Sequence, residues 1–185
     1  KKEETYQKGI ISGGQIKKYK INYDGDYINI NKELLNGGGF DYKIMNNQKI
    51  LIRQTGDSLI ASIDNEHYYH LNNIHSFAPN EESSLPIEYI LAIINSNLMD
   101  YYYQKTTLEV GRPMAQTDIE TIESLPIKDT SAENKKEIKK LVNNLLEMKN
   151  NDTDTNEIED SLNNIIFDIY GITKDEKIII KRDSK

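Results

Sequence analysis

Apolar residues change their period once along this chain, and that change limits the fold more than any motif does. Up to about residue 77 they alternate or run in short blocks bounded by turn residues; from residue 87 they recur every three or four positions. In residues 13–30, Ile21, Tyr23, Tyr27 and Ile28 alternate around an Asp24-Gly25 turn. In KILIRQTGDSLIASID, residues 50–53 and 59–63 make a hairpin about Gly56-Asp57, and HYYHLNNIHSF supplies a further strand, so that 49–77 reads as an antiparallel meander. The back of the chain is helical. Ile87, Ile90, Leu91, Ile94, Leu98 and Tyr101 or Tyr102 form one stripe, with Pro86 in its first turn. A second stripe, Ile138, Leu141, Val142, Leu145 and Met148, follows Thr130 and Glu133, which are spaced as a capping box. A third, Ile158, Leu162, Ile165, Ile166 and Ile169, ends near Gly171. The short Asn- and Asp-rich link at 150–156 makes the last two an antiparallel helical hairpin. No internal repeat is visible.

Charge tests what such a fold could bind. The 185 residues hold 23 Lys and Arg against 30 Asp and Glu, a net charge of −7, which argues against a polyanion partner for the whole surface. The acid is uneven: residues 1–78 carry ten basic and nine acidic side chains, and residues 79–185 thirteen and twenty-one. A polyanion should therefore meet the front half. There is no cysteine, hence neither disulfide nor thiol chemistry, and this suits a cytoplasmic protein. No apolar run approaches the roughly 18 residues of a membrane span. The chain begins at Lys1 without a methionine or a signal peptide, as an excised piece of a longer protein would.

Catalytic motifs are absent. None of the four prolines has a proline neighbour, no GxxxxGK[ST] occurs, and no GxGxxG follows a strand. Gly37-Gly38-Gly39 has the composition of a flexible loop, although a phosphate-cradling turn can look the same. His67, His70 and His75 are spaced so that they do not converge from one strand face, and with no cysteine beside them no metal site is expected. One or two of them read as surface polar groups able to donate to phosphates or bases. Twelve tyrosines, among them Tyr68-Tyr69 and Tyr101-Tyr102-Tyr103, read mostly as half-buried core, while IKKYK at 16–20 suits a phosphate-contacting loop.

GQIKKYKINYDGDYINI, NQKILIRQTGDSLIASIDNEHYYHLNNIHSF, EYILAIINSNLMDYYYQ and QTDIETIESLPI together resemble the TaqI-like C-terminal specificity domain, over about residues 13–128. That domain is the target-recognition part of adenine-N6 DNA methyltransferases and of fused type IIG restriction-modification enzymes. The strongest likeness lies in residues 49–53, in Ile94-Asn95-Ser96 and in Leu125-Pro126-Ile127. The tail SLNNIIFDIYGITKDEKIII also resembles the end of such proteins. The resemblance implies a division of labour. An N-terminal methyltransferase domain in the parent chain binds S-adenosylmethionine and methylates a flipped adenine, while the C-terminal domain holds the double-stranded DNA and reads its site. This segment then has no catalytic residues and no cofactor of its own.

The same resemblance gives the hairpin tip a purpose. Arg reads guanine and Gln reads adenine in the major groove, so Arg53, Gln54, Thr55 and Asp57 are expected to read bases. An Arg53–Asp57 pair across the turn is the plainer alternative. Arg112 and Gln116 form a second candidate reading loop. Lys17, Lys18, Lys20, Lys49 and His67 are expected to contact phosphates. Residues 1–128 are expected to form the recognition domain around a curved, mainly antiparallel sheet. Residues 129–185 should form a helical region whose apolar stripes meet a partner domain or cover the same sheet. Two other readings compete: a specificity-subunit domain of a type I restriction system, for which the helices are short, and a protein-interaction module using the Tyr-rich and acidic surfaces.

Overall fold

The computed structural model describes residues 5–35, 40–80, 82–107, 109, 111–112 and 115–183. The chain is α+β, as the change of period requires. Its strands are β1 (Tyr6–Ile10), β2 (Ile16–Lys17), β3 (Lys20–Ile21), β4 (Tyr27–Asn29), β5 (Lys49–Arg53), β6 (Ala61–Asp64), β7 (Tyr69–His70) and β8 (Ile74–Phe77). Its helices are α1 (Tyr42–Met45), α2 (Ile87–Asn95), α3 (Asn97–Thr106), α4 (Ile119–Glu123), α5 (Ala132–Asn150), α6 (Asn156–Tyr170) and α7 (Lys174–Asp183). No helix among the described residues is long and apolar enough to cross a membrane.

Among the described residues the strands form three small sheets where one was expected. β5 lies between β6 and β8 and is antiparallel to both, with Ile50 opposite Ile63 and Phe77 and Ile52 opposite Ala61 and His75. The meander is interrupted because Tyr69 and His70 leave this sheet and pair in parallel with Gly9 and Ile10 of β1. The stretch expected to be a single third strand is therefore β7, a turn, and β8. The Asp24-Gly25 turn is also present, with Gly25 at φ +88°. The strands on either side of it find other partners, β3 pairing with β2 and β4 with β1.

A single helix over 87–103 was the expectation, and the structure breaks it at Ser96, which is extended at φ −70°, ψ 153°. Asn95 explains the break. Its Oδ1 accepts from the Ala61 N–H at 3.0 Å and its Nδ2 donates to the Ala61 carbonyl at 2.9 Å, so one carboxamide pairs with the free edge of β6 as a further strand would. Ser96 then restarts the helix, its Oγ accepting from the Met99 N–H at 3.1 Å. Asp100, 1 % exposed, closes the arrangement: Oδ1 accepts from the Leu59 N–H at 2.9 Å and Oδ2 meets the Lys18 ammonium at 3.0 Å. Lys18 also donates to the Asn95 carbonyl at 3.1 Å.

The helices α5 and α6 form the expected hairpin. Tyr170, at the end of α6, hydrogen-bonds to Pro126 and Lys128, just before α5, so the two run antiparallel. The cap of α5 sits one residue beyond the expected box: Ser131 Oγ accepts from the Asn134 N–H at 3.2 Å. Gly171 ends α6 at φ +71°, a left-handed conformation that glycine adopts without strain. The apolar stripes cover this chain's own sheet. Ile138, Val142 and Leu145, all fully buried, lie in one core with Ile50, Ile52, Ala61, Leu162 and Ile166. At about 1.5–3 kcal/mol per buried side chain, that stripe is the main reason the helical hairpin stays docked. Helices α1, α4 and α7 are additional to the sequence reading; the first two are short, and α7 is polar on most of its surface.

Asn95→Leu should orphan the buried Ala61 N–H, at about 1–3 kcal/mol, while the Ala61 carbonyl keeps the Tyr19 N–H at 3.0 Å. Urea unfolding is expected to show a lower midpoint with an unchanged slope.

Candidate nucleic-acid interface

The two sequence-predicted reading loops meet. Beyond β5 the chain bends at Gln54, and Thr55 then bridges to Gln116 in antiparallel register. The Gly56 N–H donates to the Ala115 carbonyl at 3.0 Å and the Thr117 N–H to the Gln54 carbonyl at 2.7 Å. Residues 54–56 and 115–117 thus form a short two-stranded ribbon. Gly56, at φ +137°, turns one of its edges. Thr55 and Gln116 are exposed, Gln54 and Asp57 half-buried.

The ribbon is held from below. Thr117, 1 % exposed, has its hydroxyl 3.0 Å from the buried Tyr103 hydroxyl and its carbonyl 2.8 Å from His75 Nε2. The Gln54 N–H donates to the Asn73 carbonyl at 3.1 Å, and Asn73 Nδ2 donates to the Ile11 carbonyl at 2.9 Å. Glu109 binds the other loop: one carboxylate oxygen accepts from the Gln116 N–H at 3.0 Å and the other pairs with the Arg112 guanidinium. The Gln116 N–H, with help from Arg112, holds the Glu109 carboxyl below its usual range.

Arg53 does something other than expected. Its Nε donates to the Gly13 carbonyl at 2.9 Å and its Nη2 to the Ile16 carbonyl at 3.0 Å, so the guanidinium clamps the 13–16 turn against β5. Gly13 permits the approach: a Cβ there would sit 2.9 Å from Arg53 Cγ. Lys49 is a plain correction. It is fully buried, 2.6 Å from the equally buried Asp64 carboxylate, and it donates to the Met45 carbonyl at 3.0 Å. It touches no solvent and reaches no phosphate. Asp64 uses the same carboxylate to accept from Glu66 and Tyr68 N–H at 2.8 Å each, fixing the turn into β7. Burial pulls the Lys49 pKa down, and Asp64 opposes that shift.

The remaining cations divide. Lys18 is turned inward to Asp100 and Asn95. Lys20 pairs with the exposed Asp152 at 2.6 Å. Lys17 is exposed and has no ion pair among the described residues. These three and Lys149 line an open cleft of about 450 Å³ between the β2–β3 hairpin and the α5–α6 turn. His67 is exposed in the turn after β6, in a left-handed conformation at φ +59°. His70 is buried on β7, where burial lowers its pKa and its Nε2 has no hydrogen-bond partner among the described residues. Among the described residues no cluster of His, Cys, Asp and Glu could hold a metal ion. The glycine run 37–39 lies outside the described residues.

Sequence reasoning missed Glu109, Tyr103, His75 and Thr117 as parts of this edge. Their order along the chain carries no sign that they converge. Residues 8–127 match the family described as the TaqI-like C-terminal specificity domain. No curated protein matches the chain.

Two substitutions separate support from contact. Lys49→Met leaves Asp64 charged and unpaired in the core and should cost about 3–5 kcal/mol of folding stability. Arg53→Ala should also lower the unfolding midpoint, because it frees two carbonyls of the 13–16 turn. Thermal and urea unfolding of both variants against Lys17→Ala, which should leave stability unchanged, is the measurement.

Proposed function

The chain belongs to the TaqI-like C-terminal specificity domain family, and from that premise we propose that it reads a sequence in double-stranded DNA for a restriction-modification methyltransferase. A specificity domain is a recognition domain, not a catalytic one, so the segment is no enzyme by itself. In this reading an N-terminal methyltransferase domain of the parent chain carries S-adenosylmethionine and the adenine-N6 chemistry, in the cytoplasm, and the present segment holds the duplex in register while the target base is flipped.

One observation carries the reading at the level of residues: the Thr55–Gln116 bridge. It joins two loops, each proposed from sequence as a base reader, into a single two-stranded ribbon, and a major groove is wide enough to admit such a ribbon. Gln54, Thr55, Gln116 and Arg112 are the side chains proposed to face bases, with Asp57 at the turn. Arg53 supports them from behind. Lys17, His67 and the rim of the lysine-lined cleft are proposed phosphate contacts, which position the protein and carry no sequence information.

Lys18, Lys20 and Lys149 are neutralised within the chain. Few phosphates can then be neutralised. Gel-shift titration against salt should give binding near 50 mM that fades by 200 mM, with a log–log slope of about −2 to −4. Lys17→Ala should weaken binding to all duplexes evenly and make that slope shallower by about one unit. Tight binding at physiological salt, or none at any salt, would sink the proposal.

A further inference from the structure

We infer that Gln116 reads an A·T base pair in the major groove and that Glu109 is its positioning residue, an inference that rests on the DNA reading above. Among the proposed readers, Gln116 is the one whose backbone is held on every side while its side chain is left open. Its own N–H is bound by Glu109 Oε2 at 3.0 Å. The residue before it accepts from Gly56 at 3.0 Å, and the residue after it donates to Gln54 at 2.7 Å. Thr117 is pinned again through its hydroxyl by Tyr103 and through its carbonyl by His75. Ala115 and Thr117 are 6 % and 1 % exposed, and Gln116 between them is exposed, as the two-residue alternation of an extended strand requires.

The other candidates are less free. Arg53 is tied to the 13–16 turn, Arg112 is tied to Glu109, and Gln54 is half-buried. The Gln116 carboxamide makes no hydrogen bond with any described residue. It offers one donor and one acceptor side by side, the complement of adenine N7 and N6 in the major groove. A reader of this kind gains discrimination from a fixed backbone, because little freedom is lost on docking.

Glu109 supplies part of that fixity from within its own loop. One oxygen aligns the Gln116 N–H, and the other pairs with the Arg112 guanidinium. Gln at position 109 would still accept from the Gln116 N–H, and Ala would not.

The test is selection of duplexes from a random library by the full chain at low salt, with sequencing of the enriched pool. Wild type, Gln116→Ala, Glu109→Ala and Glu109→Gln are compared, and melting curves confirm that all are folded. The wild type should enrich a motif containing one A·T position that Gln116→Ala loses, its preference there falling about tenfold or more while other positions keep theirs. Glu109→Ala should blur the same position, and Glu109→Gln should restore it. If Gln116→Ala keeps the full motif, or weakens every sequence in proportion, the inference is overturned while the DNA reading stands. Full discrimination in Glu109→Ala overturns the positioning role alone. A wild type that enriches no motif overturns the reading and the inference together.

Discussion

A single carboxamide, that of Asn95, decides how the two halves of this molecule meet. β6 is an edge strand, and an edge inside a protein leaves backbone groups without partners. Asn95 satisfies the N–H of Ala61 and shares its carbonyl with the Tyr19 N–H. To do so it must sit at the last residue of α2, which forces the break at Ser96 and the new direction of α3. The direction of α3 in turn places Asp100 under Leu59 and Tyr103 under Thr117. The candidate reading edge therefore hangs, through two helical turns, on a hydrogen-bonded pair in the core.

The same economy explains why the charge of the front half is a poor guide to its surface. Lys18, Lys49 and Arg53 all sit in the segment that is least acidic, and each has its cation bound to a carbonyl or carboxylate of the chain. Burying Lys49 against Asp64 is costly unless both are fully hydrogen-bonded, and the Met45 carbonyl and the Glu66 and Tyr68 amides complete the set. These cations hold loops together. The positive charge left to act outward is small, in keeping with the weak, salt-sensitive DNA binding proposed for the chain.

Much of the fold was legible because period and cap chemistry are local. The β-to-α order, the α5–α6 hairpin and the Gly171 stop all follow from residues within a few positions of each other. What failed was what depends on distant partners. The stripe from Ile87 to Tyr101 is continuous in sequence, and only Ala61 gives a reason to interrupt it. Tyr69 and His70 look like part of a meander until β1, some sixty residues earlier, offers another edge. Arg53 illustrates the same limit at the site. Its residue type and place beside a turn suit a base reader, and nothing near it in sequence shows that Gly13 leaves room for the guanidinium to turn inward. Gln116 and Thr55 were visible as separate candidates. Their pairing was not, since no local rule joins residues 61 positions apart.

That separation bears on the order in which the molecule assembles. The ribbon closes a long loop for two backbone hydrogen bonds, so it gains little until β5 has paired and α3 has docked. Loop-closure entropy therefore makes it expected to form late and open early. A nascent or partly unfolded chain would present no coherent ribbon, and the proposed recognition is thereby tied to completion of the core.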